Sequence, residues 1–335
     1  MRIRRSEAGN IHQRDFGKIG ARLGHVIPHW KPDAQKQCGY FAAQQSACPT
    51  PTAQTLWRTR KLFAELFCDA QRRTLKKVFK VISLYGKTAL ITGASRGIGY
   101  GVAERFLEAG ARLHILSETK AALEAADALG SQVTGHVCDI TDGDAVSALV
   151  ASLGPIDILV NNAGLERITA LTDMFDPAPV VEETFRRIMD INVTGTFLLT
   201  RAVLPLIPDG GTIINTASIW GKTGPAWYSA YAASKHAVIG LTRVWARELG
   251  RRGIRVNAVC PGWVETEPAM LSLERLSEAT SREADDLLEE IVSAQDLPGL
   301  MKPADVSGLY VFLASDLAAS ITGQAINADR GEVQS

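Results

Sequence analysis

Three residues in the segment 216–235 can form a proton-transfer site. Tyr231 and Lys235 stand four residues apart in a stretch with helical character, so their side chains lie on one face, one turn apart. A free tyrosine has a pKa of about 10, and a nearby ammonium group favours its phenolate form. Ser218 follows an apolar, strand-like run and supplies a hydroxyl that can hold a substrate oxygen. This set predicts proton transfer to or from an alcohol while another group carries the hydride.

A glycine-rich turn joins the first predicted strand, 87–92, to an amphipathic helix. The turn contains Gly93, Gly97 and Gly99 in the spacing Gly-x-x-x-Gly-x-Gly. Glycine lets the backbone approach a pyrophosphate, and the N-terminus of the following helix supplies N–H donors and positive potential. Glycine-rich turns without a ligand are common, but the strand before this turn and the helix after it favour a nucleotide site.

Strands and helices alternate along the rest of the chain. Further strands are predicted at 112–116, 156–160, 212–217, 254–259 and 325–328, with one more ending at residue 139 and a long helix at 229–250. The strand 156–160 is followed by Asn-Asn-Ala-Gly at 161–164, and small or amide residues suit the edge where parallel sheets bind ligands. The alternation predicts an α/β fold with a parallel sheet and right-handed crossovers.

The sequence resembles the short-chain dehydrogenase/reductase family over about residues 85–330. The resemblance is carried, in order, by Thr92-Gly93-Ala-Ser-Arg-Gly97-Ile-Gly99, Asp139, the Asn-Asn-Ala-Gly turn, Asn192, Ser218, Tyr231-x-x-x-Lys235 and Pro261-Gly262-x-Val264-x-Thr266. It implies a Rossmann-type doubly wound sheet of seven parallel strands. It also implies an NAD(P)-dependent oxidoreductase that interconverts a secondary alcohol and a carbonyl.

The resemblance implies a role for each residue of the motifs. Tyr231 would be the acid/base, Lys235 would lower its pKa and hold the nicotinamide ribose, and Ser218 would orient the substrate oxygen. Asn192 would hold a water that links Lys235 to solvent. Besides Tyr231 and Lys235, the dinucleotide would be contacted by Gly93, Ser95, Arg96, Gly97, Ile98, Gly99, Ser117, Asp139, Ile140, Asn161, Ala163, Gly164, Pro261, Gly262, Val264 and Thr266.

The end of the second strand leaves the choice between NAD and NADP open. NAD-dependent relatives usually carry Asp where Ser117 stands, and NADP-dependent relatives often carry Arg where Glu118 stands. Arg96 can attract a 2′-phosphate and Glu118 would repel one, unless both are solvated surface charges.

Three further features bear on the substrate. Glu166 stands where some sugar- and hydroxyacid-oxidising relatives place a polar substrate contact, and Trp220 can wall the pocket. An acidic helical insertion at 267–301 corresponds to a segment that usually covers the substrate. The main prediction is a small polar substrate such as a sugar, polyol or hydroxyacid. The alternatives are a ketoreductase of acyl or polyketide substrates and a non-catalytic nucleotide-binding regulator, although a regulator needs no intact acid/base set.

The sequence divides into a basic extension, 1–80, and a nucleotide-binding domain, 81–335. Before Tyr85 there are sixteen Lys and Arg against five Asp and Glu, a net charge of +11, and the remainder carries −11 because the total is zero. Residues 1–54 lack periodicity, which predicts loop or disorder, whereas 56–82 predicts a basic amphipathic helix. The helix can lie on a membrane, bind a partner or belong to a transit peptide. We favour a helix packed on the domain or an extension that never folds.

Several other classes of protein are disfavoured. The five cysteines are scattered without Cys-x-x-Cys or zinc spacing, which predicts no metal site and a reducing, cytoplasmic location. The chain has no apolar run long enough for a membrane span, no secretory signal and no nucleic-acid-reading motif. The family resemblance extends to the C-terminal tail and implies a homo-oligomer, either a dimer or a tetramer, with a small-molecule substrate as the other partner.

A chain shortened to begin at Ser83 should fold and retain its turnover, because residues 1–80 contain none of the predicted site residues. Circular dichroism and the rate of NAD(P)H oxidation, measured beside the full chain, test this expectation. A shortened protein that folds but has lost its activity would show that the basic extension takes part in function.

Overall fold

The computed structural model describes residues 82–173 and 175–334, so the predicted extension lies outside the described residues. Within them, seven strands form one sheet in the order β3-β2-β1-β4-β5-β6-β7, with every neighbouring pair parallel. The strands are β1 (Thr88–Thr92), β2 (Arg112–Ser117), β3 (Val133–Val137), β4 (Ile158–Asn161), β5 (Thr212–Thr216), β6 (Arg255–Pro261) and β7 (Ala325–Ala328). The Rossmann-type fold predicted from the sequence is confirmed.

Helices link the strands and cover both faces of the sheet. They are α1 (Gly97–Glu108), α2 (Ala121–Leu129), α3 (Gly143–Ser152), α4 (Ala178–Met189), α5 (Thr196–Val203), α6 (Ser229–Leu249), α7 (Glu267–Thr280), α8 (Ala284–Ser293) and α9 (Pro303–Ala314). A π-helical turn, Asp190–Gly195, joins α4 to α5. Among the helices of the described ranges, none is long and apolar enough to cross a membrane.

The apolar core lies in two layers, one on each side of the sheet. On one side, Phe106 of α1 and Tyr310 of α9 pack over β1, β4 and β5. On the other, Leu199 of α5 and Trp245 of α6 pack over the same strands. Because the central strands are covered on both faces, their side chains are apolar in continuous runs rather than in alternation. This is why short apolar segments of the sequence predicted buried parallel strands.

The strand order reverses between β1 and β4. The chain leaves β1 toward β2 and β3, then returns to the other side of β1 with β4 and continues outward to β7. Adjacent crossovers at this point run to opposite sides and leave a crevice at the carboxyl ends of the strands, where such sheets bind ligands. The glycine-rich turn, the Asn-Asn-Ala-Gly turn and Ser218 all follow strands that end at this crevice.

The acidic insertion is two helices, α7 and α8, rather than one continuous segment. Thr266 caps α7 by accepting a hydrogen bond from the Ala269 N–H at 3.3 Å. The helix ends at Ser281, whose φ of 52° lies in the left-handed region, and α8 begins three residues later. Each helix of the insertion buries an apolar side chain, Leu273 of α7 and Leu287 of α8.

A chain of buried amides and hydroxyls crosses the sheet below the crevice. Asn161 at the end of β4 donates to Thr200 Oγ1 and to Asn215 Oδ1, both at 2.9 Å. Asn215 of β5 in turn donates to Thr242 Oγ1 of α6 at 2.9 Å. Buried polar groups are costly without partners. These hydrogen bonds therefore fix the spacing of β4, β5 and α6, the three elements that carry the site.

Replacing Thr242 by Val should lower the free energy of unfolding by about 1–3 kcal/mol, because the shape is kept while the buried Asn215 amide loses its acceptor. Chemical denaturation of the two proteins measures this difference. The same substitution at Thr172, which is exposed, is the control and should leave stability unchanged. Equal effects at both positions would contradict a stabilising role for the buried hydrogen bonds.

Candidate active site

The glycine-rich turn between β1 and α1 has the shape of an anion cradle. Gly93 and Gly97 have φ values of +62° and +60°, and a Cβ on Gly93 would lie 2.8 Å from the Ala163 Cα. A Cβ on Gly99 would lie 2.4 Å from the Gly93 carbonyl oxygen. Arg96 precedes α1 without a side-chain cap, so the first N–H groups of the helix have no side-chain partner. The turn therefore fits a pyrophosphate group.

Two side chains hold this turn in place, and sequence reasoning gave neither a role. The Asn162 amide donates to the carbonyl oxygens of Thr92 and Gly93, both at 3.1 Å. Thr92 Oγ1 accepts hydrogen bonds from the N–H groups of Asn162 and Ala163 at 2.9 and 2.7 Å. Asn161 is different, because its side chain belongs to the buried chain below the crevice. If Asn161 contacts a dinucleotide, its backbone must make that contact, which remains a prediction.

The loop after β6 closes over the glycine-rich turn. Thr266 Cγ2 lies 3.4 Å from where a Cβ on Gly97 would stand, and Ile98 packs against Val264. Val264 forms an isolated bridge with Met301. Pro261 ends β6, and Gly262 lies so close to the C-terminal segment that a Cβ there would be 2.8 Å from Asp329 Cβ. The structure thus brings the Pro-Gly-x-Val-x-Thr motif beside the cradle, with Ser95 on the same turn.

The ends of β2 and β3 form the other side of the crevice. Ser117 donates to the Thr119 carbonyl at 3.0 Å. Asp139 accepts hydrogen bonds from the backbone and hydroxyl of Thr141 at 2.8 and 2.7 Å. Partial burial opposes ionisation of Asp139, but these hydrogen bonds and the neighbouring Arg187 prevail and lower its pKa. Ile140 packs where a side chain on Gly195 would otherwise stand. An ionised, fixed carboxylate therefore lies beside an apolar wall.

Ser218, Tyr231 and Lys235 converge at the carboxyl end of β5. Ser218 caps a 3₁₀ turn, Ile219–Gly221, by accepting from the Trp220 N–H at 3.1 Å, and its hydroxyl forms a hydrogen bond with the Tyr231 phenol. Tyr231 and Lys235 both lie on α6. Lys235 Nζ is 5.4 Å from the centre of the Tyr231 ring and donates to the Thr216 carbonyl at 2.8 Å. The spacing-based prediction of one shared face is confirmed.

Asn192 lies in the π-helical turn and reaches the same region. Its amide oxygen accepts from the Leu165 N–H at 2.7 Å, and its nitrogen donates to the Leu165 carbonyl at 3.0 Å and to Ser234 Oγ at 2.9 Å. A Cβ on Gly164 would lie 3.3 Å from Asn192 Oδ1 and 3.4 Å from Lys235 Nζ. Single π-turns often occur at functional sites. Here the turn aims the amide at the backbone beside the lysine, and Gly164 leaves room for both groups.

Burial, rather than the lysine charge, dominates the ionisation of Tyr231. Its pKa is raised by burial and further by the negative charge of Glu166, while the hydrogen bond with Ser218 acts in the opposite direction. Burial lowers the pKa of Lys235 to about 8. The sequence-based prediction of a lowered Tyr231 pKa is therefore wrong for the protein without a bound dinucleotide. The Lys235 ammonium group donates to the Thr216 carbonyl, and both the phenol and the ammonium group have lost their hydration. The resting phenol is protonated at neutral pH.

Aromatic rings wall the space in front of Tyr231. The Trp220 ring stands edge-on to Tyr231 with centroids 5.8 Å apart and lies 4.8 Å from the Tyr228 ring. The Tyr228 hydroxyl is 3.2 Å from Ser272 Oγ, which donates to Glu166 Oε1 at 2.8 Å. Ser272 belongs to α7 and was not predicted, because the sequence places it 106 residues from Glu166. The acidic insertion thus reaches the pocket through a hydroxyl.

The pKa values of this wall also respond to burial. Burial raises the pKa of Tyr228 to about 12, and the hydrogen bond with Ser272 only partly offsets it. Burial likewise raises the pKa of Glu166, against the effects of Ser272, Arg167 and Arg275. Tyr228 has no lysine one turn onward, so it offers no second acid/base pair.

Comparisons with known proteins agree with this geometry. The chain matches the family model described as enoyl-(acyl carrier protein) reductase over residues 93–332. It is 36% identical over 260 residues to the 3-oxoacyl-(acyl-carrier-protein) reductase FabG of Thermotoga maritima, covering 75% of this chain and 99% of that protein. It is 41% identical over 252 residues to oxidoreductase UcpA of Salmonella typhimurium, covering 72% and 92%.

Solved structures show the same relationship. A variant of actinorhodin polyketide ketoreductase with NADPH aligns with a TM-score of 0.66 and 34% identity, covering 72% of this chain and 95% of that chain. A dehydrogenase/reductase from Sinorhizobium meliloti 1021 aligns with a TM-score of 0.67 and 30% identity, covering 77% and 100%. From the sheet, the cradle, the Ser-Tyr-Lys set and these matches, the chain belongs to the short-chain dehydrogenase/reductase family, the NAD(P)-dependent oxidoreductases that act on CH–OH groups.

Proposed function

We propose that this protein reduces the ketone of an acyl or polyketide-type substrate to a secondary alcohol. The observation that carries the proposal is the buried, protonated Tyr231 beside the Ser218 hydroxyl, behind an aromatic wall. A protonated phenol is ready to donate to a carbonyl oxygen, whereas alcohol oxidation needs it deprotonated first. Relatives at 34–36% identity are named as ketoacyl reductases, which supports the same choice.

Each side chain of the site has a separate role in the reduction. A reduced dinucleotide, which the cradle of Gly93, Gly97 and Gly99 would hold, would supply the hydride for the carbonyl carbon. Ser218 Oγ holds the carbonyl oxygen, and Tyr231 gives its proton to that oxygen, which completes the alcohol and leaves a phenolate. The Lys235 ammonium stabilises this phenolate from a buried position, where charges interact more strongly than in water. Asn192 positions the backbone beside Lys235 through both hydrogen bonds to Leu165.

The pocket wall favours an acyl chain over a polyol. Trp220 and Tyr228 present aromatic surface to the space in front of the phenol. Glu166 accepts the hydrogen bond from Ser272 through Oε1, and a carboxylate can accept further hydrogen bonds from a hydroxylated substrate. The Glu166–Ser272 pair is the one observation that favours the second candidate, oxidation of a sugar, polyol or hydroxyacid.

The assembly and location of the protein also belong to this proposal. Val180 and Phe185 of α4 and Val244 of α6 are 40–49% exposed on two helices that contact each other, which supports a homo-oligomer. Cys138 and Cys260 are buried and unpaired, as expected in a reducing cytoplasm. The proposal includes an N-terminal extension, 1–80, and a nucleotide-binding domain, 81–335.

Replacing Tyr231 by Phe should reduce turnover by about 10²–10⁴-fold, because one positioned proton donor is lost while the ring remains. Dinucleotide affinity should stay near normal, since Lys235 is untouched. In the unmodified protein, ketone reduction should decline as the pH rises through about 8, where Lys235 loses its proton and can no longer stabilise the phenolate. Steady-state rates across a pH series, with fluorescence titration of NAD(P)H, measure all three effects.

Tyr228→Phe is the matched control and should have a mild effect, because Tyr228 contacts Ser272 and no lysine. The assignment would be overturned by a Tyr231→Phe protein that keeps most of its rate, or by Tyr228→Phe being the inactive one.

A substrate panel tests the proposed substrate class directly. An acetoacetyl thioester should be reduced with NAD(P)H far faster than polyols, sugars or hydroxyacids are oxidised, because the wall in front of Tyr231 is aromatic. Glu166→Gln should leave thioester reduction largely intact, whereas a substrate held by that carboxylate would lose its turnover. Fast polyol oxidation abolished in Glu166→Gln would favour the second candidate. Tight dinucleotide binding without turnover of any compound would indicate a regulator.

A further inference from the structure

Arg187, near the end of α4, bridges the carboxyl ends of two neighbouring strands. Its guanidinium lies 3.6 Å from Glu118, which directly follows β2, and 3.2 Å from Asp139, which follows β3. It also donates to Thr141 Oγ1 at 3.3 Å. The side chain is 40% exposed, so solvent and ligands can reach the guanidinium.

The position of Glu118 identifies what the guanidinium faces. In dinucleotide-binding sheets the residue at the end of the second strand, about 20 residues beyond the glycine-rich turn, meets the adenosine ribose 2′ position. Ser117, the last residue of β2, and Glu118, which follows it, stand at that point. A guanidinium within ion-pair distance of Glu118 is therefore within reach of a group attached to the ribose 2′ oxygen.

A phosphate at this point would need the positive charge of Arg187. Without it, the carboxylates of Glu118 and Asp139 would both repel a 2′-phosphate. Arg96, a cation on the glycine-rich turn, forms an ion pair with Glu267 at 3.0 Å. Exposed ion pairs contribute little stability, so exchanging the Glu118 carboxylate for a phosphate costs little. Arginine also binds phosphate through two parallel hydrogen bonds.

We propose that Arg187 selects the dinucleotide, binding the 2′-phosphate of NADPH while Asp139 and Thr141 hold its guanidinium in place and Glu118 gives way. The proposal goes beyond the proposed function, since it concerns cofactor choice and is independent of the carbonyl substrate. It assigns cofactor selectivity to a residue from α4 rather than to the glycine-rich turn.

Binding measurements on the full chain test the proposal without catalysis. Fluorescence titration gives the affinities for NADPH and NADH, and competition with adenosine 2′,5′-bisphosphate and adenosine 5′-monophosphate isolates the 2′-phosphate. Arg187→Ala should weaken NADPH and the bisphosphate by roughly 10- to 100-fold, the worth of a charged hydrogen bond, and leave NADH and the monophosphate nearly unchanged. Arg187→Lys keeps the charge but loses the planar fork. Its affinity for NADPH should therefore fall between those of the unmodified protein and Arg187→Ala.

Two further variants provide the comparison. Arg186→Ala removes the adjacent arginine, which is 71% exposed and paired with Glu182, and should alter neither affinity. Arg96→Ala tests the cation on the glycine-rich turn. The proposal is overturned if Arg187→Ala weakens all four ligands equally, if it changes none, or if Arg96→Ala alone removes the preference for the 2′-phosphate. Should Arg187→Ala fail to fold, Arg187→Lys and its preference ratio decide the question.

Discussion

The buried ammonium group of Lys235 is the constraint around which the site is built. The side chain is 4% exposed, and its charge is held by the carbonyl at the end of β5. Burying a charge is costly, which is why its pKa falls to about 8. The surrounding backbone must come close on every side. A Cβ on Gly164 would crowd the ammonium group, and a Cβ on Gly221 would lie 2.8 Å from the Lys235 carbonyl oxygen. Glycine at both positions lets β4, β5 and α6 meet.

The start of α6 is fixed by a strained residue just outside the helix. Trp227 has a φ of 69°, which costs a bulky residue about 1–3 kcal/mol. Two hydrogen bonds of Thr169 offset this strain. Its N–H donates to the Trp227 carbonyl at 2.7 Å, and its hydroxyl accepts from the Ala230 N–H at 2.9 Å. The loop after β4 thereby sets the angle at which Tyr228 and Tyr231 enter the pocket, and connects the cradle side of the crevice to the proton donor.

Local patterns in the sequence predicted the strands of the sheet and the shared face of Tyr231 and Lys235. Apolar runs separated by helical periods predicted every strand to within a few residues, and the four-residue spacing of Tyr231 and Lys235 predicted their shared face. The contacts that could not be predicted from the sequence join residues far apart in the chain. Ser272 reaches Glu166 from the insertion, and Arg187 reaches Glu118 from α4. Alternation of strands and helices carries no information about which surface side chains meet once the sheet is assembled.

The same limit explains the error about the Tyr231 pKa. Spacing predicts that a lysine charge lies near the phenol, but the balance between that charge and lost hydration depends on how deeply both are buried. The outcome suits reduction. An alkoxide formed by hydride addition is about as basic as hydroxide, so it takes a proton readily even from a buried phenol. Burial thus leaves little Tyr231 phenolate at neutral pH to take a proton from an alcohol, while keeping the phenol proton in place for a carbonyl oxygen.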